Sequence, residues 1–223
     1  MSDTERRFTK VPVELRAQSD KKTIGGYAAV FNRQSSNLGG FVEVVDAAAF
    51  NASRGDGWPD VIARYNHDDN MLLGSTGSGT LRIMVDGTGL DYEVDPPKAR
   101  ADILELVQRG DVRKSSFAFR TIEDQWDTTD QGFPMRTLLR VQLVDVAPVN
   151  TPAYPDSTAG LRSLARHMHA DFEEVRKLAD EDELRRFFVR TDRTTGKPKV
   201  QEKTNYGAAA RMALLARKTD PYV

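Results

Sequence analysis

Apolar and polar residues alternate through most of the first two-thirds of the chain, a pattern typical of β-strands. The clearest example is LRIMVDGTGLDYEVD, residues 81–95, where apolar positions alternate on both sides of Asp86-Gly87 and predict a hairpin. Other predicted strands are FTKVPVELRA, TIGGYAAVFN, GGFVEVVD, DVIARYNHDD, a strand from residue 111 towards Trp126, and RTLLRVQLVDVAPV. A short helical turn is predicted at Ala47–Ser53, and PPKARADILELVQRG predicts a helix that ends at Gly110. The glycine-rich segment 74–80 is interpreted as a flexible connection.

The pattern changes after the two prolines of NTPAYPDS. Residues 157–190 are strongly helical in pattern and carry many charges, so they predict a charged helical extension. Residues 191–223 have seven Lys and Arg residues against three Asp and Glu residues, and they predict a basic, weakly ordered tail that ends in a short helix. We therefore expect a mainly β domain over residues 1–156, followed by these two segments.

Composition narrows the functional classes. The 223-residue chain has a formal net charge of −1, which gives no argument for specific nucleic-acid or membrane binding. No stretch approaches the roughly 18 apolar residues that span a bilayer, and the N-terminus has no secretory signal pattern. The chain has no cysteine, which excludes disulfides and thiolate chemistry and fits a reducing compartment.

Two serines precede the apolar run of DVRKSSFAFR, residues 111–120. If this segment is a strand, Ser115 shares one face with the aromatic rings of Phe117 and Phe119 and lies towards the core. Ser116 lies on the other face beside the small Ala118. We therefore expect Ser116 to be the accessible hydroxyl, and Ser115 is the alternative nucleophile.

A histidine and an aspartate complete a possible catalytic set. His67 follows a predicted strand, where loops often present functional groups, although it could be a surface histidine in a polar turn. Asp145 lies in a strand with two largely apolar faces and must have a partner, which could be an arginine such as Arg136 or Arg140 in a structural salt bridge. A serine needs a neighbouring imidazole to take its proton, and the imidazole needs an acid. The chemistry of these residues makes a serine hydrolase plausible.

The sequence does not have the patterns that several other kinds of functional site require. The glycine-rich segment lacks the Lys-Ser/Thr ending of a phosphate-binding loop, and no Gly-x-Ser-x-Gly elbow is present. The acidic clusters lack calcium-loop spacing, and a lone histidine among the strands excludes a multi-histidine zinc site. We expect no cofactor and no metal.

Several motifs in the same order resemble the prohead serine proteases of tailed bacteriophages, from about residue 25 to 156. GYAAVFN and LGGFVEVVDAAAF are similar to the opening of that family, and ARYNHDDNMLLGSTGSGTLRI resembles its histidine segment, which implies His67. GDVRKSSFAF resembles the serine strand and implies Ser116, while VQLVDVAPVNTPAYPDS resembles the closing motif and implies Asp145. The family usually has Glu at position 145, Gly at 118 and Ser at 147, where this chain has Asp, Ala and Ala.

The resemblance implies a fold, a substrate and a location. The fold would be α+β and mainly β, with an assemblin-like β-barrel, closed or nearly closed, surrounded by helices, as in the herpesvirus proteases, and often dimeric. The enzyme would remove the scaffold segment from the precursor of the major capsid protein, and trim itself, inside the assembling prohead in the host cytoplasm. A different hypothesis is a catalytically inactive scaffold or assembly protein that keeps the protease fold. The basic tail could be a self-cleaved segment, a tether or a solvated tail.

Overall fold

Ten strands and four α-helices form the part of the chain that the computed structural model describes, residues 4–18, 21–150 and 158–188. The strands are β1 (Thr4–Pro12), β2 (Glu14–Gln18), β3 (Lys21–Val30), β4 (Val42–Val45), β5 (Ile62–Arg64), β6 (Leu72–Ser75), β7 (Leu81–Val85), β8 (Gly89–Val94), β9 (Lys114–Thr128) and β10 (Pro134–Val149). The helices are α1 (Asn51–Gly55), α2 (Ala101–Arg109), α3 (Thr158–Met168) and α4 (Phe172–Asp180). Short 3₁₀ turns occupy Tyr65–His67, Lys98–Arg100 and Leu184–Phe188.

The strands form two sheets that share one hydrophobic core. The first sheet has the order β1-β9-β10-β5-β6, and β4 also pairs with β10; the second has the order β2-β3-β8-β7. The chain passes from the first sheet to the second at Val13, between β1 and β2. Apolar side chains from both sheets pack together, among them Ile24, Leu90, Phe117 and Phe119. The predicted α+β class is confirmed.

The two sheets are not closed into a barrel. Among the described residues, no ladder joins the edge strands β6 and β7. Instead β6 lies close to β8 at Gly74, where an added Cβ would come within 2.7 Å of the Val94 side chain. In a closed barrel, the two edge strands would be hydrogen-bonded neighbours in one layer, about 4.8 Å apart. Here the two sheets instead meet through side chains, as two packed layers do. The expected assemblin-like barrel is therefore an open pair of sheets surrounded in part by helices.

Local patterns predict several elements well and others poorly. The hairpin of β7 and β8 and the helix α2 form as predicted, and α2 ends where Gly110 takes a left-handed conformation with φ +80°. The predicted strand DVIARYNHDD is much shorter, because the chain leaves the extended conformation at Tyr65 and enters a 3₁₀ turn. The strand β6, which overlaps the predicted flexible connection, is not predicted, and the helical turn near residue 50 begins later than expected, at Asn51.

The helical extension contains two helices and a 3₁₀ turn rather than one continuous helix. The break lies at His169, whose φ is +51°, and the Asp171 carboxylate then accepts the backbone N–H groups of Glu173 and Glu174 to begin α4. A second hydrophobic cluster joins these helices to the strand region and contains Phe41, Trp126, Leu161, Leu164, Val175 and Leu184. No helix in the described ranges has the length and apolar character needed to cross a membrane. The predicted basic tail lies outside the described residues.

The backbone N–H and carbonyl groups of β10 form hydrogen bonds with different partners along the strand. On one side it pairs with β9 throughout, and on the other it pairs in parallel first with β4 and later with β5. The Ser53 hydroxyl fills part of the gap between β4 and β5, because it donates to the Val141 carbonyl (3.2 Å) and accepts the Leu143 N–H (3.1 Å). Val141 N–H also donates to the Ala49 carbonyl (2.9 Å). The segment around α1 thus substitutes for a missing strand.

Four charged side chains form a buried ionic cluster, defined as Glu5, Arg7, Glu43 and Arg136. The Glu5 carboxylate accepts from Arg7 at 2.8 Å and from Arg136 at 2.7 Å. Burial by itself would raise the pKa of Glu5, but the hydrogen bond and charge of Arg136 and the charge of Arg7 outweigh it and hold the pKa below its ordinary value. The cluster has equal numbers of both charges and connects β1, β4 and β10.

Replacing Ser53 by Ala is expected to lower the free energy of unfolding by about 1–3 kcal/mol, because one buried N–H and one buried carbonyl lose a partner. Urea denaturation measures the change. Ser78→Ala is the matched control, since its hydroxyl bonds lie within an exposed turn, and it should change stability by less than about 0.5 kcal/mol. Equal losses in the two variants would contradict the role assigned to Ser53.

The ionic cluster predicts a pH-dependent stability. Because the pKa of Glu5 is lower in the folded state, its stabilising contribution is complete above about pH 4.5 and is lost as the pH falls through the lowered value. The wild-type chain should therefore be more stable than Glu5→Gln near neutral pH, and the difference should narrow in acid. Denaturation of both proteins between pH 7 and pH 3 tests this, with Glu123→Gln as an exposed control. A difference that stays constant over the whole range would be inconsistent with the prediction.

Candidate active site

The alternation of β9 separates the two serines as predicted. Ser115 is completely buried, and its hydroxyl lies 3.2 Å from the Tyr92 hydroxyl of the other sheet. Burial raises the pKa of Tyr92, so this contact is a neutral hydrogen bond between the layers. Ser115 is therefore placed as a core residue, away from the other predicted site residues. Ser116 lies on the opposite face but is only 4% exposed, so the face expected to be open is covered.

His67 covers that face because the chain turns back sharply after β5. Asn66 and His67 both have left-handed backbone conformations, with φ of +54° and +58°. Non-glycine residues rarely adopt this conformation, although Asn tolerates it better than most, and two in succession are maintained only by surrounding contacts. The Asn66 side-chain oxygen accepts the backbone N–H of Asn150 at 3.1 Å, which fastens the turn to the end of β10. The result is a buried imidazole next to β9 and β10.

Asp145 reaches the same face through a bulge in β10. Strict alternation predicts that Leu143 and Asp145 share a face, but the pairing with β9 shifts between them. Leu143 pairs with Phe119 and Asp145 with Ala118, which point to opposite sides of β9. One extra residue in β10 thus keeps Leu143 in the core and moves Asp145 to the face of Ser116.

These placements bring the three predicted site residues together. The His67 Nε2 atom lies 2.7 Å from the Ser116 hydroxyl oxygen, and the His67 Nδ1 atom lies 2.5 Å from the Asp145 Oδ1 atom. The carboxylate can only accept, so the Nδ1 atom carries a hydrogen and donates to it. The Nε2 atom of a neutral ring is then free to accept the hydrogen of the serine hydroxyl.

Asp145 has a second partner that differs from the ones expected. Its Oδ2 atom accepts from Arg64, whereas Arg136 belongs to the buried ionic cluster and Arg140 pairs with Glu123 on the surface. The expected salt bridge from Asp145 to an arginine is therefore present, but its partner is neither Arg136 nor Arg140. Burial by itself would raise the pKa of Asp145, but the hydrogen bond and charge of His67, followed by those of Arg64, outweigh it and hold the pKa below its ordinary value.

The Ser116 hydroxyl also has a second possible acceptor. The backbone carbonyl of Arg7 on β1 lies 2.7 Å from the hydroxyl oxygen, the same distance as the imidazole. The hydroxyl has one hydrogen and can donate it to only one acceptor at a time. When the imidazole is protonated, its Nε2–H can donate to the serine oxygen while the serine donates to Arg7. The site can therefore satisfy its hydrogen bonds in both protonation states of the ring.

The geometry supports proton transfer between a hydroxyl and an imidazole backed by a carboxylate. The three side chains come from β9, from the turn after β5 and from β10, each within hydrogen-bonding reach of the next. Sequence reasoning missed Arg64 and the Arg7 carbonyl. The position of Arg64 at the end of the otherwise apolar VIAR segment could have indicated its role. The contact of the Arg7 carbonyl could not be predicted, because a backbone carbonyl has no signature in the sequence. Within the described ranges, no group of three or more His, Asp or Glu side chains could hold a metal ion.

Comparison with known proteins gives a family and one structural likeness. The family described as caudovirus prohead serine protease matches residues 10–171, a span that includes all three predicted site residues. Among solved structures, the bacteriophage T4 capsid assembly protease, gp21, is similar with a TM-score of 0.46 and 8% sequence identity, over 67% of this chain and 99% of that chain. No curated protein sequence matches. The family match covers well over half of the chain, and the chain therefore belongs to the caudovirus prohead serine protease family.

Proposed function

We propose that the chain is a serine endopeptidase in which Ser116 is the nucleophile, His67 the general base and Asp145 the acid that orients the imidazole. The observation that carries the proposal is the continuous chain of hydrogen bonds from the serine hydroxyl through both ring nitrogens to a buried carboxylate. A serine hydroxyl is a poor nucleophile without such a base. Membership of a serine protease family supports the same chemistry.

The reaction follows from the positions of the hydrogens. The Ser116 oxygen attacks the carbonyl carbon of the scissile peptide bond while His67 Nε2 takes the hydroxyl proton. The carbonyl oxygen then carries the negative charge, which backbone N–H groups or an arginine would stabilise. The Nε2 atom returns its proton to the leaving amine as the C–N bond breaks. A water molecule then attacks the acyl ester in the same way, with His67 as the base, and Ser116 is released.

The substrate belongs to the same proposal. We expect the enzyme to act in the host cytoplasm, inside the assembling prohead, on the precursor of the major capsid protein, to remove the scaffold segment and to cut its own chain. The family supports a capsid-maturation role, and the scaffold segment, self-cleavage and a homodimer are the finer parts of the proposal. The alternative, an inactive scaffold protein, would not require the close contacts among Ser116, His67 and Asp145.

Labelling with a fluorophosphonate tests the assignment of the nucleophile. We expect the wild-type protein to be labelled at Ser116 and Ser116→Ala to lose labelling, because the hydroxyl beside the imidazole is removed. Ser115→Ala is the matched control and should keep most of the labelling rate, since its hydroxyl contacts Tyr92 in the core. His67→Ala should lower the rate by about 100-fold or more. Labelling of a folded Ser116→Ala protein would mean that the nucleophile is a different residue.

Cleavage of the capsid precursor tests the substrate. The chain is co-expressed with the major capsid protein of its own phage, and intact masses are compared with those from Ser116→Ala. We expect truncated capsid protein and a shortened protease only with the wild-type chain. Active-site labelling without either truncation would support a peptidase but contradict the proposed substrate. An absence of both labelling and truncation would favour the inactive assembly protein.

A further inference from the structure

The second oxygen of the Asp145 carboxylate binds a guanidinium group. Arg64 Nη2 donates to Asp145 Oδ2, while Asp145 Oδ1 binds the imidazole of His67. The Asp145 side chain is 0% exposed and that of Arg64 is 12% exposed, so this ion pair is largely shielded from water. The other end of the guanidinium, Nη1, donates to Asp69, whose side chain is 86% exposed. Arg64 therefore bridges the buried carboxylate and a surface carboxylate.

The pairing of β5 with β10 dictates this contact. Asp145 is in register with Ile62 in a parallel ladder, and paired residues of a ladder point to the same face. Arg64 is two residues after Ile62 and so returns to that face. The short stretch RYNHDD, residues 64–69, thus supplies the imidazole, the cation beside its carboxylate and the exposed carboxylate that binds the other end of the cation.

A buried carboxylate needs more than a neutral imidazole. A neutral imidazole, the form that can act as a base, gives the carboxylate one hydrogen bond but no charge, and an uncompensated buried charge is costly. Arg64 supplies both a hydrogen bond and a positive charge at the oxygen that the ring leaves free. Among the described residues, the charged or titratable groups that bond to the Asp145 carboxylate are His67, from the turn after β5, and Arg64, from β5 itself. Asp69 acts through Arg64.

We propose that Arg64 is a positioning residue that keeps Asp145 ionised and holds its Oδ1 atom towards His67. This inference rests on the proposed function, because it assigns Arg64 a role in the same site. Arg64 does not contact the nucleophile or the scissile bond and acts only through the carboxylate. Its removal should therefore change the pH range of activity rather than abolish activity at every pH.

The test is the rate of fluorophosphonate labelling at Ser116 measured from pH 5 to pH 10. In Arg64→Gln, the positive charge beside the paired His67 and Asp145 side chains is lost, so the pair should hold its proton, and the site should stay inactive, up to a higher pH. We expect the half-maximal pH to rise by about one unit. Arg64→Lys keeps the charge and should reduce the shift to less than half. Well above the transition, the rate of Arg64→Gln should lie within about tenfold of the wild-type rate.

Two control variants separate this role from a general loss of charge. Arg140→Gln removes an exposed arginine from β10 that pairs with Glu123 and should leave the pH profile unchanged. Asp69→Asn removes only the exposed partner of Arg64 and should shift the profile by less than about 0.3 unit. An arginine with a merely structural role would lower the Tm without moving the pH profile.

The outcomes distinguish the two proposals. If the wild-type protein is not labelled at Ser116, the proposed function fails. If it is labelled and Arg64→Gln has the wild-type pH profile, the inference about Arg64 is overturned. If Arg64→Gln does not fold, the double variant Arg64→Gln/Asp145→Asn should recover the Tm, because the unpaired carboxylate charge is gone. A double variant that remains unfolded would also overturn the inference.

Discussion

The antiparallel pairing of β9 with β10, with its bulge between Leu143 and Asp145, is the constraint on which the site depends. Without the extra residue, Asp145 would follow Leu143 into the hydrophobic core, and His67 would have no carboxylate. The bulge is held from the other side as well, since Ser53 bonds the backbone just before it and β5 pairs with the residues just after it. A backbone irregularity is thus stabilised at both ends by elements distant in the sequence.

Buried charges occur in two places beside this pairing, and each has partners. The buried ionic cluster connects β1, β4 and β10 on the core side, and the carbonyl of its member Arg7 contacts the Ser116 hydroxyl. The second group, Arg64 with Asp145, lies behind the imidazole. Breaking a buried ion pair by removing one partner costs more than a surface pair contributes. Both groups therefore favour one arrangement of the strands that carry the site.

Backbone contacts hold each of the three site residues in place. Ser116 and Asp145 lie within paired strands, and His67 occupies a turn with two left-handed residues that is fastened through Asn66 to the backbone after β10. Backbone strain persists only where the surroundings determine the conformation, and it is common at functional sites. For a member of the caudovirus prohead serine protease family, such a site is consistent with hydrolysis of a peptide bond.

Local periodicity and turn chemistry were sufficient to predict the β7–β8 hairpin, the helix α2 with its end at Gly110, and the opposite faces of Ser115 and Ser116. The resemblance of several motifs in the same order indicated the family of the chain. Alternation also indicated that Asp145 is an unusual residue, but it assigned Leu143 to the same face. The arginines suggested as partners of Asp145 were also the wrong ones. Only the tertiary structure decided the bulge, the contact with Arg64, the early end of β5 and the open edges of the two sheets. The physical reason is that side-chain alternation is a property of one strand, whereas register, bulges and ion-pair partners depend on strands that lie far apart in the sequence.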